Sequence, residues 1–248
     1  MTLHKELNKA KNNNIDNNNL LIDKRNKQLI FNNFLLNFAS KNQSLISDLF
    51  YAVKCSITEC LNCHNKLYNY QIYFFIVFPL EEVRKYKIQC NNQFNIMNNE
   101  VNIYECFEYD RKNNIMSGNN SMYCYNCRLN CNGSMFTYLV TGPEILILLL
   151  NRGIGIEFNV RIAFVEFLDL NNYIEYKNTG TQYKLIGVIN HIGENSISDH
   201  FIAYCRDPIT EKWYIYNDDI VNEIKNFQNE VINFANPYLL FYQKINFN

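Results

Sequence analysis

Two pairs of cysteines in this chain have the spacing of metal ligands. Cys60 and Cys63 form one Cys-x-x-Cys pair, and Cys124 and Cys127 form the other. Each pair can hold an ion from one tight turn, so two such turns complete the tetrahedral coordination that Zn²⁺ prefers. Four thiolates leave no open position for water, and we therefore expect a structural rather than a catalytic zinc.

Other cysteines and one histidine offer alternatives to this quartet. Cys55, His64 and Cys131 lie close enough in sequence to compete as ligands, so the quartet is the most economical choice among several. If no metal is bound, the pairs are ordinary buried cysteines, an interpretation disfavoured because two such pairs are uncommon by chance. The remaining cysteines are interpreted as core residues: Cys90, Cys106 and Cys205.

A histidine and an asparagine near the C-terminus have the types needed for acid–base chemistry. The Asp-Pro dipeptide at 207–208 favours a tight hairpin, which would set His200 directly opposite Asn217. Facing Cβ atoms lie about 5 Å apart, so the amide oxygen can accept a hydrogen bond from the imidazole and fix its tautomer. A loop longer by two residues would bring Asp219 opposite His200 instead. An isolated strand histidine is more often merely packed, and only its surroundings favour catalysis here.

Composition predicts a globular protein and excludes several function classes. The chain has 248 residues, of which 48% are hydrophobic and 15% aromatic, which suffices for a substantial core. With a net charge of -1 and no long basic block, it lacks the charge pattern of a nucleic-acid binder. The longest apolar runs, 72–80 and 145–150, are far shorter than the roughly 20 residues that span a bilayer, and we expect buried strands there.

The N-terminus and the cysteines predict the compartment of the protein, and the spacing of apolar residues predicts its helices and strands. The polar N-terminus has no signal-peptide pattern, which favours an intracellular, reducing location where cysteines are thiols or metal ligands. Residues 1–29 are Asn-rich and are expected to form a disordered leader. Apolar spacings of three and four over 29–50 predict helix, largely confined to this region. Later segments predict strands, with a loop-interrupted hairpin over 90–123.

The order of motifs after residue 183 resembles the histidine box of the ubiquitin-specific proteases, which are cysteine-type deubiquitinases. In this box a strand ending in His and Gly leads to a Gly-His-aromatic strand and then to a Trp-containing strand that ends in Asn or Asp. The matching residues here are His191 and Gly193, then Asp199-His200-Phe201, then Trp213 to Asp218. The resemblance implies that His200 is the catalytic base and Asn217 the third residue of the triad. It also implies that Asp218 helps to orient the site or simply ends the strand. His191 is a weaker candidate for an active-site role: it either shapes the rim of the site or simply lies on the surface.

The likeness extends over about residues 40–244. It includes segments similar to the helix end before the zinc finger, the first finger strands, the strand that enters the palm and the closing strand: 44–50, 60–80, 142–153 and 236–242. The implied fold is α+β and papain-like, with β-sheets for the palm and the zinc-binding fingers and a largely absent helical thumb. The implied boundaries are a helical lead-in over 30–54, fingers over 55–140 and a palm over 141–248. Ubiquitin or ubiquitinated proteins are the implied partners.

Two departures from the family pattern bear on activity. No cysteine precedes Cys55, so the Asn-x-x-x-x-Cys-Tyr/Phe box that carries the nucleophile is not recognisable. Without a thiolate no acyl-enzyme forms, and we expect the chain by itself to be inert. Asp199 also stands where the family usually has Gly, and it would crowd the channel for a Gly-Gly tail.

Three functions follow from this pattern. The first is the C-terminal half of a deubiquitinase domain that is inactive as this chain. The second is a non-catalytic ubiquitin-binding or scaffold module stabilised by zinc. The third is a zinc-stabilised structural protein without ubiquitin contact.

Overall fold

The computed structural model describes residues 2–9, 26–91, 100–152, 160–177, 180–192, 200–233 and 236–245. These residues form two compact units that interleave along the chain. The first unit comprises 1–73, 111–144 and 173–179, and the second comprises 74–110, 145–172 and 180–248. None of the described helices is both long enough and apolar enough to cross a membrane. Asp199 lies outside the described residues, and the domain boundaries drawn from the sequence stay predictions.

The described residues are mostly strand. The helices are α1 (Thr2–Leu7), α2 (Lys27–Ala39), α3 (Leu45–Phe50), α4 (Leu80–Asn91) and α5 (Ile103–Asp110). Strands of the first unit are β1 (Ala52–Cys60), β2 (Lys66–Tyr73), β5 (Asn114–Met116), β6 (Met122–Cys124), β7 (Leu129–Cys131) and β8 (Gly133–Leu139). Strands of the second unit are β3 (Ile76–Pro79), β4 (Glu100–Asn102), β9 (Ile145–Asn151), β10 (Arg161–Ala163), β11 (Phe167–Asp169), β12 (Gln182–Ile192), β13 (His200–Arg206), β14 (Trp213–Asn217), β15 (Ile220–Glu223) and β16 (Pro237–Lys244).

In the first unit, α2 and α3 confirm the helices predicted between residues 29 and 50. Asn26 caps α2, because its side-chain oxygen accepts the Leu29 N–H at 3.1 Å. Ser44 and Ser47 form a reciprocal capping box at the start of α3. Both caps satisfy backbone donors that a helix leaves unpaired at its start. Helix α1 lies in the Asn-rich segment and was not predicted; 10–25 lie outside the described residues.

An antiparallel sheet in the order β2-β1-β8-β5 forms the body of the first unit. Phe31 of α2 packs on this sheet, stacking on Tyr176 at 5.2 Å between ring centroids and contacting Tyr70 and the buried Cys55. The strands β6 and β7 pair only with each other, as a two-stranded ribbon. This ribbon lacks a broad apolar face, so its position depends on other contacts.

A large sheet forms the centre of the second unit, in the order β15-β14-β13-β12-β16-β9-β3, with β11 paired to β12. The parallel pair β3–β9 is the exception among antiparallel neighbours. Along β9, Leu146, Leu148 and Leu150 are buried while the residues between them are half-buried, as expected when alternate side chains face a core. The ring of Phe78 in β3 packs edge-on against that of Phe107 in α5, with 5.0 Å between the ring centroids, so that α5 contacts this sheet.

Two helices contradict the prediction that helix is largely confined to residues 29–50. Helix α4 begins in the run read as a single strand over 72–80, and α5 lies in the segment read as a hairpin over 90–123. The sequence of α5 does contain helix signals, but they extend over only a few residues. Asn102 and Glu105 form a capping box, with hydrogen bonds of 3.0 and 2.8 Å, and Ile103 and Phe107 are buried at helical spacing.

We expect Leu148→Ala to lower the free energy of unfolding by about 2–5 kcal/mol, because it removes a fully buried side chain from a strand paired on both sides. Leu149→Ala is the matched control, since Leu149 faces the other side of the sheet and is half-buried. Urea denaturation followed by the fluorescence of Trp213, the single tryptophan, measures both losses. Equal losses would contradict a core that lies on one face of β9.

Candidate active site and metal centre

The two cysteine pairs lie in turns of the same backbone geometry. Between β1 and β2, the His64 N–H donates to the Cys60 carbonyl at 2.8 Å, and His64 has a φ of 56°. Between β6 and β7, the Arg128 N–H donates to the Cys124 carbonyl at 2.7 Å, and Arg128 has a φ of 60°. Positive φ is uncommon for such residues, so its recurrence after each pair marks a specific turn. We call these turns the first and second knuckles.

The knuckles bring the four predicted thiols together. The sulfurs of Cys60, Cys63, Cys124 and Cys127 all lie within 4.8 Å of one another, and Cys63 Sγ is 3.6 Å from Cys124 Sγ. Zn–S bonds of about 2.3 Å place sulfurs about 3.8 Å apart in a regular tetrahedron. The spacing and the donor type therefore fit a tetrathiolate metal ion.

Local hydrogen bonds favour the metal-binding form of at least one thiol. The backbone N–H of Cys63, assisted by that of Asn62 and opposed by burial, lowers the pKa of the Cys60 thiol to about 6. Asn62 also donates from its side chain to Cys127 Sγ at 3.4 Å, which connects the first knuckle to the second. The second knuckle differs: although the Cys127 N–H and the Asn62 side chain donate to its sulfurs, burial and the neighbouring thiols outweigh these hydrogen bonds and raise the pKa of Cys124 and of Cys127 to about 11. Since thiolates are the ligands that metals bind, an ion at this site would have to displace those two protons.

The structure separates the competing ligands. Cys55 lies in the core under α2, and His64 is exposed, with Nδ1 3.0 Å from a Glu59 oxygen. Cys131 is different, because it packs against Cys60 and Cys124 inside the cluster. Among the cysteines interpreted as core, Cys106 is buried, whereas the interpretation is wrong for Cys90 and Cys205, which are exposed.

His200 begins β13 and makes the hydrogen bond expected from the sequence. Its Nε2 lies 2.6 Å from Oδ1 of Asn217, the last residue of β14. An amide oxygen only accepts, so Nε2 carries the proton and donates it. In the neutral ring Nδ1 is then the unprotonated nitrogen. His200 is half-buried, and this arrangement leaves Nδ1 as the position that can take a proton.

The register that produces this contact differs from the predicted one. A turn at 207–210 is present, with Asp207 Oδ1 accepting the N–H groups of Ile209 and Thr210 at 2.9 and 2.7 Å. Strand pairing, however, resumes only at Arg206↔Trp213, so the loop is two residues longer than the predicted tight hairpin, as in the alternative considered from the sequence. Glu211 has a φ of 61° and extends the loop before the strands pair.

Asn217 is therefore the diagonal neighbour of His200. The β13–β14 pairing ends at Ala203↔Tyr216, so Asp219 is not paired to His200 but lies in the next turn. Diagonal neighbours are about 7–8 Å apart at Cα, a gap that an imidazole can bridge. The hydrogen bond is thus present although the facing position predicted for Asn217 is wrong.

Asp218 occupies the hairpin turn between β14 and β15. Its φ of 51° fits the positive values that two-residue hairpin turns require, and Asp tolerates them better than most residues. The side chain is exposed and makes no hydrogen bond or ion pair with other described residues. Its place ends the strand; an orienting role for Asp218 stays a prediction.

Two neighbours of His200 on β12 have different positions. His191 pairs with Phe201, so it faces the opposite side of the sheet from His200, with its ring 4.7 Å from that of Phe201. Asn190 pairs with Ile202 and shares the face of His200. It is buried, and its Oδ1 has no hydrogen-bond partner among the described residues. Asn190 could not be singled out from the sequence, because its burial depends on the pairing of β12 with both β13 and β16.

A family model described as "Ubiquitin carboxyl-terminal hydrolase" matches residues 1–242. The chain belongs to the ubiquitin carboxyl-terminal hydrolase family. This confirms the resemblance drawn from the histidine box and the finger cysteines.

Curated members of the family are similar over most of this chain. Ubiquitin carboxyl-terminal hydrolase 2 of Bos taurus is 26% identical over 212 residues, which are 83% of this chain and 32% of that protein. Ubiquitin carboxyl-terminal hydrolase Usp2 of Drosophila melanogaster is 23% identical over 213 residues, covering 84% and 21%. The chain thus spans about a third or less of the length of these hydrolases.

Solved structures of the hydrolase fold agree with the described architecture. A chain of the SAGA Ubp8/Sgf11/Sus1/Sgf73 DUB module bound to ubiquitin aldehyde has a TM-score of 0.62 and 20% identity, covering 89% of this chain and 48% of its own length. A yeast SAGA DUB module has a TM-score of 0.64 and 22% identity, covering 83% and 43%. The predicted α+β fold of a ubiquitin-specific protease is confirmed.

We expect the His200 Nε2–H proton to give a downfield NMR signal with slowed solvent exchange, because Asn217 accepts it. Asn217→Ala should remove the signal and lower stability by about 0.5–1.5 kcal/mol, whereas Asn217→Asp should keep it, since a carboxylate also accepts. Asp218→Ala is the control and should leave it unchanged. A protected signal that survives Asn217→Ala would contradict the hydrogen bond.

Proposed function

We propose that this chain carries the general base and the orienting residue of a deubiquitinase, which hydrolyses the amide bond at the C-terminus of ubiquitin. The observation that carries the proposal is the 2.6 Å contact of His200 with Asn217 in a chain of this family. Ubiquitin is the proposed partner, supported by the ubiquitin aldehyde bound to the similar DUB module. With nine free thiols, the protein is proposed to act in a reducing compartment.

The tautomer assigns His200 its steps in the reaction. Nδ1 takes the proton of a cysteine thiol, and the resulting thiolate attacks the carbonyl of the ubiquitin C-terminus. The imidazolium then gives this proton to the departing lysine amine as the C–N bond breaks. In the second half, Nδ1 takes a proton from the water that attacks the thioester carbonyl. The C–S bond then breaks, the imidazolium returns this proton to the departing thiolate, and the ubiquitin carboxylate is released. Asn217 holds the ring at Nε2 through both halves.

None of the cysteines in the unit of His200 fits the role of that nucleophile. Burial raises the pKa of the Cys106 thiol far above its usual range, and local desolvation of the sulfur also raises the pKa of Cys205, although this residue as a whole is exposed. Cys90 is exposed at the end of α4. No described cysteine is hydrogen-bonded to the His200 ring. We therefore propose that the thiol is supplied from outside this chain and that the chain alone does not turn over.

The same reasoning supports a second candidate, a non-catalytic ubiquitin-binding module. Binding needs the surfaces of the sheets but no thiolate, so it survives the lack of a suitable cysteine. The two candidates share ubiquitin as partner and differ in whether His200 ever acts as a base.

For the metal centre, we propose a structural Zn²⁺ held by Cys60, Cys63, Cys124 and Cys127. The support is the spacing of the four sulfurs and the matching knuckles. A bound Zn²⁺ supplies four strong bonds that join the β1–β2 hairpin to the β6–β7 ribbon. With all four positions taken by protein thiolates, no site for water remains, so the ion has no part in hydrolysis.

Metal analysis should find one zinc per chain. The double variant Cys124→Ser/Cys127→Ser is expected to lose it and to melt at a lower temperature, because one knuckle no longer binds. Cys90→Ser is the control, since that exposed thiol lies in the other unit. A double variant that keeps both its zinc and its melting temperature would rule out this quartet.

With a ubiquitin–coumarin substrate under reducing conditions, the chain alone is expected to show no turnover, yet NMR titration should detect binding of ubiquitin. Ubiquitin that lacks its last two glycines is the matched ligand and should bind more weakly if its tail passes His200. If neither ubiquitin nor its truncated form binds, both the deubiquitinase and the ubiquitin-binding function are contradicted. Turnover that His200→Ala abolishes would instead confirm the base and show that one of the nine cysteines is the nucleophile.

A further inference from the structure

The metal centre contains a fifth thiol. Cys131 ends β7 and is only 6% exposed, among the buried sulfurs of Cys60 and Cys124. Its thiol also interacts with those of Cys60 and Cys127. Around the four proposed ligands, the described structure therefore has one more metal-binding side chain than a tetrahedral ion uses.

The backbone fixes Cys131 in this place. The Leu61 N–H of the first knuckle donates to the carbonyl of Asn132, the next residue, at 2.9 Å. One residue further, Gly133 pairs with Cys60 across β8 and β1. A Cβ at Gly133 would lie 2.6 Å from the sulfur of Met122, the cross-strand partner of Cys131, so the chain approaches the cluster as closely as glycine allows.

The five thiols differ in how they meet solvent. Cys60, Cys124 and Cys131 are buried, whereas Cys63 and Cys127 are half-exposed. A half-exposed ligand is the one that water or a chelator reaches first. Cys127 is also a neighbour of Cys131, so a position that Cys127 vacates opens next to a buried thiol.

We propose that Cys131 is a reserve ligand of the metal centre, which takes the fourth coordination position when Cys127 leaves it. The proposal depends on the zinc site proposed above and assigns an additional residue to it. In the exchange one metal–sulfur bond breaks and another forms, the Cys131 thiol releases its proton to solvent and the Cys127 thiolate takes one up. The metal charge and the number of bound thiolates stay the same. The centre thereby retains its ion under competition that would strip a site of four thiols.

Cobalt(II) as a spectroscopic substitute for zinc tests the exchange, because its thiolate charge-transfer absorption scales with the number of bound thiolates. Cys127→Ser should bind one equivalent with the absorption of four thiolates. Cys127→Ser/Cys131→Ser should show the absorption of three thiolates and bind cobalt at least about tenfold more weakly than Cys127→Ser. Even the loss of a residue that only hydrogen-bonds to a metal ligand lowers metal affinity by about 10–100-fold. The control is Cys127→Ser/Cys55→Ser, which removes a buried thiol of the same unit from a different cluster and should match Cys127→Ser.

A second measurement keeps Cys127 in place, in case its substitution prevents folding. Zinc transfer from the loaded chain to a chromogenic chelator should be several-fold faster for Cys131→Ser than for wild type, whereas Cys55→Ser should leave the rate unchanged. A three-thiolate spectrum already in Cys127→Ser, or equal transfer rates with and without Cys131, would overturn the proposal and leave the zinc site standing. A wild-type chain that binds neither zinc nor cobalt would overturn both.

Discussion

The pairing of β13 with β12 on one side and β14 on the other determines the candidate active site. This ladder places His200 at the first paired residue of β13 and Asn217 at the last residue of β14, so neither side chain is positioned by a loop. Because a shift by one residue would turn His200 to the opposite face, the buried alternation of Ile202 and Tyr204 behind it fixes which face the imidazole occupies. The position of the proposed base thus depends on the packing of side chains several residues away from it.

In the first unit, the cysteine cluster is what can hold the β6–β7 ribbon in place. The β6–β7 ribbon makes strand pairs only within itself, and two-stranded hairpins are at best marginally stable in water. Its buried contacts are largely sulfur, from Cys60, Cys124, Cys131 and Met122. Thiolates brought this close would repel one another, so an ion bound as proposed would neutralise them and make the cluster favourable. The finger is therefore expected to depend on its metal more than on apolar burial.

Several features were predictable from sequence because they depend on local spacing. The two Cys-x-x-Cys pairs gave the quartet, and the turn chemistry at Asp207 gave a hairpin between His200 and Asn217. The choice between the tight hairpin and the loop longer by two residues was not predictable, because it depends on whether Glu211 adopts a positive φ, and nothing in its type indicates this. Helix α5 was missed for a related reason: its eight residues bury only three side chains, too few for periodicity to outweigh the surrounding Asn clusters. Its Asn102–Glu105 capping box was the better signal.

The diagonal contact determines the direction in which Asn217 holds the ring of His200, the proposed base. A facing pair would place the amide beside the ring, whereas the diagonal pair leads from His200, at the end of the ladder, back toward the buried side chains. Nε2–H points along this direction, toward the half-buried Asn217. Nδ1 lies on the other edge of the ring, away from the nitrogen that Asn217 holds. A half-buried imidazole held in this way keeps one tautomer without a charged partner, and the proposed role of His200 as a base requires its unprotonated nitrogen to face the thiol.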